Sequence, residues 1–304
     1  MQETDYYREL KAICSEDDIF IDVPMNEHTS MRVGGNADLM ITPPSMEMLQ
    51  RCIAILHDHG LKFLIMGNGS NIIFPDEGYR GIIVKIGPKL SKIEVKDTVI
   101  EAEGGASLAA VANKALEHAL TGLEFASGIP GSIGGAAYMN AGAYDGEMKQ
   151  VVTETLCLDR KGRFVTLRGE EHDFTYRHSR IQDEGLTCIR VVLQLQPGDK
   201  KAIQEKMNDL NTRRRDKQPL NLPSAGSVFK RPIGHFAGKL IEDAGLRGFS
   251  IGGAQISPKH CGFIVNTGTA TSSDVVALIR YVQKTVYEKT GIMLEPEVKI
   301  IGGT

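Results

Sequence analysis

The sequence predicts an α+β protein, and three observations support that class. Segments with helical periodicity are interspersed with segments of strand-like alternation along the 304 residues. Their order lacks the steady strand–helix rhythm of a parallel, doubly wound sheet. Glycine, at 33 of 304 residues, exceeds its usual share of about 7% and gathers between these segments. Loops of that kind carry binding and catalytic groups, so the chemistry is expected there.

The composition excludes several classes of function. Hydrophobic residues make up 41% and charged residues 24%, as in ordinary soluble proteins. A net charge of −3 gives no general attraction to nucleic acids or acidic membranes. No apolar run reaches the roughly 20 residues of a membrane span, and the start, MQETDYYREL, lacks the apolar core of a secretory signal. The expected location is the cytoplasm, with no membrane and no nucleic acid as partners.

The five cysteines are odd in number, scattered, and form no C-x-x-C pair. Reduced thiols are therefore expected. The histidines show no metal-ligand spacing either. The sequence predicts no metal site.

The first two thirds of the chain are predicted to hold two capped helices and several strands. The helices begin after Ser45 and Ser107, whose hydroxyls suit an N-cap, and end at Gly60 and Gly122. The predicted strands and hairpins are FLIM (63–66), GIIVKI (81–86), IEVKDTVIEAE (93–103), TETLCLDRKGRFVTLRG (153–169) and CIRVVLQLQ (188–196).

The segment QPGD (196–199) breaks the strand pattern and predicts a domain boundary. Beyond it the sequence predicts, in order, a charged helix (200–216), a helix GKLIEDA that ends at Gly245, short strands around FIVN (263–266), a long helix (273–291) and a closing strand EVKII (297–301). No internal repeat is visible.

Two glycine-dense segments, both predicted to be loops, are GNGSNI (67–72) and GIPGSIGGAAYMNAGAY (128–144). The first follows a strand but lacks the third glycine of G-x-G-x-x-G, and no helix is predicted after it, which argues against a Rossmann site. It is either a tight turn or a nest of N–H groups for an anion. Both segments lie near strand ends, so together they could clamp a pyrophosphate between backbone donors.

Two further motifs are weak. GHFAGKL (234–240) has three residues between its glycines and Leu after Lys, so it is not a P-loop, although a helix N-terminus near a phosphate stays open. The run of three arginines at 213–215 lies between Asp209 and Asp216 and indicates a solvated helix end.

A family resemblance rests on nine segments that occur in order. They are SMRVGGNAD, MGNGSNIIF, GLEFASGIPGSIGGAAYMNAGAY, YRHSR, SAGSVFKRP, FAGKLIEDAGLRG, GGAQIS, KHCGFIVN and LEPEVKIIG. Together, from about Ser30 to Gly302, they resemble the UDP-N-acetylenolpyruvoylglucosamine reductases (MurB). The short stretch between YRHSR and SAGSVFKRP resembles the type II branch, which lacks the tyrosine loop that covers the substrate diphosphate.

The resemblance implies an FAD-binding fold of the vanillyl-alcohol-oxidase (PCMH) type. Its two subdomains are expected at 1–86 and 87–198, followed by an α/β substrate-binding domain at 199–304 whose last strand is a candidate to pack back on the flavin domain. The residues implied to hold noncovalent FAD are Gly67, Asn68, Gly69, Ser70, Asn71, Gly128, Ile129, Pro130, Gly131, Ser132, Gly134, Gly135 and Gly142.

The resemblance also implies a reaction of peptidoglycan precursor synthesis. NADPH reduces the flavin, and N5 of FAD passes the hydride to UDP-N-acetylglucosamine enolpyruvate, which gives UDP-N-acetylmuramate. Arg177 would clamp the carboxylate, Ser227 would donate the proton, and Glu297 would assist in a protonated or proton-sharing form. The residues implied to contact the substrate are Tyr176, Lys230, Gln255 and Asn266.

Two alternatives remain beside this reductase, which is expected to be a monomer. One is another oxidoreductase of the same flavin fold, such as an oxidase. Many of those link the flavin through His or Cys, and neither glycine segment contains either residue, which favours noncovalent FAD. The other is a nucleotide-sugar-binding regulator without catalysis. The presence of Arg177, Ser227 and Glu297 disfavours it.

Overall fold

The computed structural model describes residues 4–302. The outermost bounds of the first and third predicted domains, and the start of MQETDYYREL, lie outside that range. Within it the α-helices are α1 (Asp5–Ile13), α2 (Met46–Asp58), α3 (Leu108–Glu117), α4 (Ile133–Tyr138), α5 (Arg180–Asp183), α6 (Lys200–Lys217), α7 (Ala237–Asp243) and α8 (Ser272–Thr290). No helix in this part of the chain has both the length and the apolarity that crossing a membrane requires.

The strands are short and mostly antiparallel. They are β1 (Ile19–Pro24), β2 (Asn36–Ile41), β3 (Phe63–Met66), β4 (Ile72–Ile73), β5 (Tyr79–Lys85), β6 (Ile93–Lys96), β7 (Val99–Glu103), β8 (Leu120–Thr121), β9 (Gly142–Ala143), β10 (Gly146–Glu147), β11 (Val152–Leu158), β12 (Phe164–Arg168), β13 (Thr187–Gln194), β14 (Gln196–Pro197), β15 (Ser224–Ser227), β16 (Ser250–Ile251), β17 (Ala254–Ile256), β18 (Phe263–Asn266) and β19 (Lys299–Ile300). The mixture of helices and small sheets confirms the α+β class.

The chain divides into two units. The first comprises residues 4–21, 39–68 and 81–212, and the second comprises 22–38, 69–80 and 213–302. A four-stranded sheet has the order β1-β2-β5-β3, and the chain passes from one unit to the other inside β1, β2 and β5. The three-part division predicted from the sequence stays a prediction.

The first unit holds a five-stranded sheet in the order β12-β11-β13-β7-β6. Two predicted hairpins form its edges, with Lys96 opposite Val99 and Leu158 opposite Phe164. Side chains from this sheet and from α3 and α4 share one apolar core, which includes Ile100, Val111, Ile133 and Leu193. A second core packs α1 and α2 against the parallel pair β3–β5. The second core fixes strand β3, from whose end the first glycine segment leaves.

The second unit holds a four-stranded antiparallel sheet in the order β15-β18-β17-β16. Helices α7 and α8 share its apolar core, through residues such as Ile241, Val275 and Leu278. The closing strand β19 pairs in parallel with β4, with Lys299 opposite Ile72. This pairing brings the end of the chain next to the segment that follows GNGSN.

Most predicted elements are confirmed, and two predictions are wrong. Helix α3 ends at Glu117 rather than at Gly122, because Ala119 has a left-handed φ of 54° and Leu120–Thr121 then pairs with β14. The second glycine segment was expected to be a loop, but it contains helix α4, which Ser132 caps. Its run of small residues forms a helix because it packs against the sheet.

Candidate active site

Gly67, at the start of the first glycine segment, meets the second segment within the first unit. Strand β3 leads into Gly67, and Ser132 caps α4 by accepting a hydrogen bond from the Gly135 amide at 3.3 Å. A Cβ on residue 67 would lie 2.4 Å from Oγ of Ser132, closer than two such atoms approach. Only glycine at position 67 allows this contact, so the meeting of the two segments depends on it.

Several backbone amides in these segments have no protein acceptor. Within residues 4–302, the amides of Asn68, Gly69, Ser70, Gly131 and Ser132 donate no hydrogen bond to the protein. Gly69 and Gly131 have positive φ angles of 64° and 134°, which glycine adopts without strain. Unpaired amides beside such turns form anion-binding concavities. Amide donors of this kind suit the oxygen atoms of a pyrophosphate and need no charged side chain.

Not every glycine in the second segment leaves room for a ligand. A Cβ on Gly134 would lie 2.9 Å from the Gly104 carbonyl oxygen, and one on Gly142 would lie 2.6 Å from that of Gly146. These two glycines therefore make space for the protein's own backbone. Gly135 is exposed, and the atom nearest to a Cβ added there would be Ser132 Oγ, at 3.4 Å. An open side of α4 thus lies at Gly135.

The start of the second segment anchors it to the core. Ile129 packs against the apolar core of the first unit, and its amide donates to the Ala126 carbonyl at 3.1 Å. Gly128 is partly buried, whereas Pro130 is exposed. The chain therefore leaves the core at Pro130, directly before the unpaired amides of Gly131 and Ser132.

Arg177 lies at the tip of a tight turn in the first unit. Thr175 and His178 exchange two backbone hydrogen bonds of 3.2 Å, which leaves Tyr176 and Arg177 between them. Arg177 has a φ of 58°, in the left-handed region that non-glycine residues rarely adopt. Its Nη2 donates to the Gly142 carbonyl at 3.1 Å, and its guanidinium lies 4.9 Å from the Tyr176 ring centre.

Three side chains that the sequence analysis did not select hold this turn. Asn140, which is fully buried, donates to the Thr175 carbonyl at 2.9 Å. Gln182 donates to the carbonyls of Arg177 and Tyr138, and Ser179 donates to Tyr138 as well. The only sequence signal was Asn140 directly after a small-residue helix, a position where Asn tolerates the left-handed conformation.

Ser227 lies at an irregularity of the sheet in the second unit. The register of β15 against β18 shifts between Ser224 and Ser227, as in a β-bulge. Gly226 provides the bend with a φ of 78°. Bulges re-aim side chains and are common beside active sites. Within residues 4–302 the Ser227 hydroxyl makes no hydrogen bond with the protein, so it is available to a ligand.

Glu297 lies beside Ser227 although 70 residues separate them in the sequence. The Glu297 amide donates to the Val228 carbonyl at 2.7 Å, and the Lys230 amide donates to that of Glu295 at 2.9 Å. An isolated bridge pairs Phe229 with Pro296. These contacts bring together three of the residues predicted from the sequence, Ser227, Lys230 and Glu297.

Asn71 joins the first glycine segment to this group. Its Nδ2 donates to the Glu297 carbonyl at 3.1 Å, and its own carbonyl accepts from the Lys299 amide at 3.1 Å. Lys230 has an ion-pair partner, since its Nζ lies 2.5 Å from Oε1 of Glu295. Residues that the sequence analysis placed in separate segments therefore share one backbone network in the second unit.

Two other predicted substrate residues already have protein partners. Gln255, on β17, donates to the Gly248 carbonyl at 3.2 Å. Asn266 is buried, donates to the carbonyls of Met31 and Arg32, and accepts from two amides of the loop 268–270. The amide of Asn266 therefore holds two segments of the unit in place.

The predicted site residues are thus divided between the units. Gly67, Asn68, the second glycine segment, Tyr176 and Arg177 belong to the first, and the others belong to the second. One additional cluster was not expected: ligand atoms of Asp173, His178 and Asp183 lie within 4.8 Å of one another. Nε2 of His178 and Oδ1 of Asp183 share a hydrogen bond of 2.9 Å, which accounts for the approach of these two residues.

Two known domain families match parts of the chain. Residues 37–168 match the sequence profile of an FAD binding domain. Residues 218–301 match that of the C-terminal domain of UDP-N-acetylenolpyruvoylglucosamine reductase. The expected FAD cofactor is therefore confirmed.

Individual relatives extend the match over the whole chain. A UDP-N-acetylenolpyruvoylglucosamine reductase from Caldanaerobacter subterraneus is 50% identical over 96% of this chain and 97% of its own length. The crystal structure of such a reductase (MurB) from Thermus caldophilus covers 93% of this chain and 98% of its own, with a TM-score of 0.80 and 31% identity.

A more distant structure supports the fold alone. Phl p 4.0202, a glucose dehydrogenase, covers 65% of this chain and 45% of its own with a TM-score of 0.51, at 14% identity. The expected flavin fold of the vanillyl-alcohol-oxidase type is confirmed. From the near-complete match to its relatives, the chain belongs to the UDP-N-acetylenolpyruvoylglucosamine reductase family.

Proposed function

We propose that the protein reduces UDP-N-acetylglucosamine enolpyruvate to UDP-N-acetylmuramate, with NADPH as the hydride donor, in the synthesis of peptidoglycan precursors. The observation that carries this proposal is the group around Ser227. Ser227, at a bulge, precedes Val228, whose carbonyl accepts from the Glu297 amide, and the Lys230 amide donates to Glu295 nearby. The chain matches a reductase of that name over 96% of its length. We also propose that the enzyme acts in the cytoplasm as a monomer.

FAD, when bound, carries the hydride from NADPH to the vinyl carbon of the substrate. The residues that would hold its pyrophosphate are those with unpaired amides, Asn68, Gly69, Ser70, Gly131 and Ser132. Gly135 would admit the cofactor at the open side of α4. Gly67, Asn71, Gly128, Ile129, Pro130, Gly134 and Gly142 would shape the two segments that present these groups.

Arg177 would bind the carboxylate of the enolpyruvyl group. Addition of hydride to the terminal vinyl carbon moves electron density toward the neighbouring carbon and its carboxylate. A guanidinium stabilises that developing charge with two parallel hydrogen bonds, which a lysine cannot reproduce. Tyr176, 48% exposed and stacked on the guanidinium, would contact the substrate from the same turn.

Ser227 would donate the proton that completes the reaction. The hydroxyl proton moves to the carbon that bears the carboxylate, and the vinyl ether becomes a lactyl ether. An alcohol is a weak acid, but the enolate-like dianion is a strong base. Glu297 would assist in a form that is protonated or shares a proton, because a bare carboxylate repels the dianion. Lys230 and Gln255 would contact the substrate, and Asn266 would order the segments around it.

The two half-reactions separate the role of Ser227 from that of the flavin site. In Ser227→Ala, bleaching of the flavin by NADPH should keep a near-normal rate, because no proton is delivered to substrate carbon in that step. Reoxidation by the enolpyruvyl substrate should slow by about 10² to 10⁴, the usual effect of removing a positioned acid. Ser224→Ala, in the same strand, is the matched control and should leave both rates unchanged.

Rapid mixing of the reduced variant with substrate measures the second rate. Return of the hydride should also appear as isotope exchange between deuterated reduced flavin and the vinyl carbon. Reoxidation of Ser227→Ala at the wild-type rate would show that another group donates the proton.

A further inference from the structure

We propose that Gln182 is a positioning residue for Arg177, which it holds against the carboxyl end of helix α4. The inference rests on the role proposed for Arg177. It concerns a side chain that lies outside the predicted site and acts only through the backbone of the arginine. All the residues involved belong to the first unit.

The backbone of Arg177 needs an external constraint. With a φ of 58°, its backbone occupies a conformation that a non-glycine residue adopts only when its surroundings impose it. The two hydrogen bonds of the turn join Thr175 and His178 and do not include Arg177 itself. A two-residue tip of this kind can change its local conformation unless another contact fixes its peptide groups.

Gln182 supplies a contact that fixes the Arg177 peptide group. Its Nε2 donates to the Arg177 carbonyl at 3.1 Å and to the Tyr138 carbonyl at 2.8 Å. A primary amide has two N–H groups, so these two bonds use both of them. The same nitrogen also lies 3.6 Å from Sδ of Met139. One side chain therefore ties the arginine peptide to the last turn of α4.

The two elements that this link joins, α5 with Gln182 and α4 with Tyr138, are themselves held in place. Gln182 belongs to the short helix α5, and its backbone amide donates to the Ser179 carbonyl at 2.9 Å. The neighbouring residue, Ile181, is fully buried and anchors this helix. Ser132, the N-cap of helix α4, is the residue in contact with Gly67. The link thus sets the position of Arg177 relative to the helix whose first turn meets the other glycine segment.

Two further hydrogen bonds join the Arg177 side chain and its turn to residues that follow α4. Nη2 of Arg177 donates to the Gly142 carbonyl, and Asn140 donates to the Thr175 carbonyl. These bonds start from residues just after α4. Loss of the Gln182 bonds would remove the direct link between the Arg177 carbonyl and the last turn of α4. A shift of about 1 Å in a positioned group is enough to slow a reaction on the order of 10²-fold.

A double-mutant cycle tests the proposal with Gln182→Met, which keeps the length of the side chain and removes both donors. With Arg177 present, this change should slow flavin reoxidation by the enolpyruvyl substrate about tenfold or more. In the Arg177→Ala background it should slow it less than about twofold, because no guanidinium is left to position. Gln50→Met is the matched control, since Gln50 donates a similar bond to the Gly162 carbonyl far from this turn.

A second measurement does not depend on turnover. In protein stripped of flavin, the His178 amide, which donates to Thr175, should exchange with solvent faster in Gln182→Met than in the wild type or in Gln50→Met. Gln182→Asn, which is one methylene shorter and cannot reach both carbonyls, replaces the methionine variant if that variant does not fold.

The outcomes separate this inference from the proposed function. Equal slowing in both backgrounds, or no slowing with Arg177 present, would overturn the positioning role and leave the reductase assignment intact. If Arg177→Ala alone reoxidises at the wild-type rate, the role of the arginine is wrong and the inference fails with it. Unchanged exchange at His178 would likewise contradict the link.

Discussion

Strained residues are concentrated in one stretch of this chain. Within residues 4–302, nine non-glycine residues have positive φ, and five of them lie between Asn140 and Arg177. Each costs on the order of 1–3 kcal/mol and persists only where neighbouring contacts enforce it. Asn140, with a φ of 42°, is both strained and an anchor of the Arg177 turn. The strained stretch therefore includes Arg177, which is proposed to bind the substrate, and Asn140, which anchors its turn.

Glycines differ in the same stretch according to what their missing Cβ would meet. Gly134 faces the carbonyls of Gly104 and Cys188 at 2.9 and 3.0 Å, so any substitution there would disturb the fold itself. Gly135 has only the Ser132 hydroxyl nearby, at 3.4 Å. It is the position at which a substitution reports on the cofactor and not on the protein core.

Gly135→Ala should have opposite effects on the apoprotein and on FAD binding. Alanine favours a helix over glycine by about 1 kcal/mol, so the melting temperature of the apoprotein should stay level or rise. FAD binding should weaken by about 5-fold to 150-fold, since overfilling a packed contact costs about 1–3 kcal/mol. Fluorescence titration of apoprotein with FAD measures the affinity.

Gly87→Ala is the control, because no atom lies within 4 Å of a Cβ at that position. It should leave FAD affinity unchanged. An unaltered FAD affinity in Gly135→Ala would mean that the open side of α4 does not face the cofactor.

Among the elements, α8 has the most complete N-terminal cap. The Asp274 amide donates to Oγ1 of Thr271, while the Thr271 amide donates to the Asp274 carboxylate, both at 3.0 Å. The same carboxylate accepts from the Gly253 amide at 3.1 Å, which ties the helix to the loop before β17. These bonds lower the pKa of Asp274. The cap thus helps to place the sheet that carries Gln255.

Thr271→Ala should lower the free energy of unfolding by about 1 kcal/mol, the usual effect of losing an N-cap hydroxyl. Thr4→Ala makes the same substitution at the N-cap of α1, where the threonine side chain makes no capping bond. It should therefore have almost no effect. Urea denaturation followed by circular dichroism measures both, and equal effects of the two substitutions would contradict the role of the cap.

The two elements that were predicted wrongly show the limit of local signals. Ser107 begins α3 as expected, with its hydroxyl accepting from the Ala110 amide at 3.0 Å. The end was placed at Gly122, but Ala119 takes the left-handed position and frees Leu120–Thr121 to pair with β14. The competing strand pair comes from a segment about 75 residues later, so no local pattern could reveal it.

Across the whole molecule, stability should depend on pH through buried histidine. His172 is fully buried between Oγ1 of Thr155 and the Gly169 carbonyl, at 3.1 and 2.8 Å. Burial lowers its pKa below the ordinary value of 6.5, although the bond to Gly169 opposes the shift. Below pH 6.5 the His172 side chain binds a proton in the unfolded chain, whereas burial opposes its protonation in the folded protein. The contribution of His172 to the free energy of unfolding is therefore fully present above about pH 6.5 and falls as the pH decreases below that value.

The melting temperature should accordingly drop between pH 7.5 and pH 5.5, and His172→Gln should drop less over the same interval. His57→Gln, which changes an exposed histidine of α2, should retain the full drop of the wild type. Burial also lowers the pKa of His260, so the drop should not vanish in His172→Gln. A drop of equal size in wild type and His172→Gln would contradict this account.

The α+β class, most element positions, the family and the FAD cofactor could be predicted from local sequence signals and ordered motifs. Caps such as Ser45 and Ser107, alternating strands and ordered motifs are signals carried by residues close together in the chain. Which distant segments pair is visible only in the folded chain. The bonds between Glu297 and Val228 and between Gln182 and Tyr138, and the contact of Gly67 with Ser132, all join residues far apart in sequence. Such contacts depend on how packed elements meet, and no local periodicity encodes that geometry.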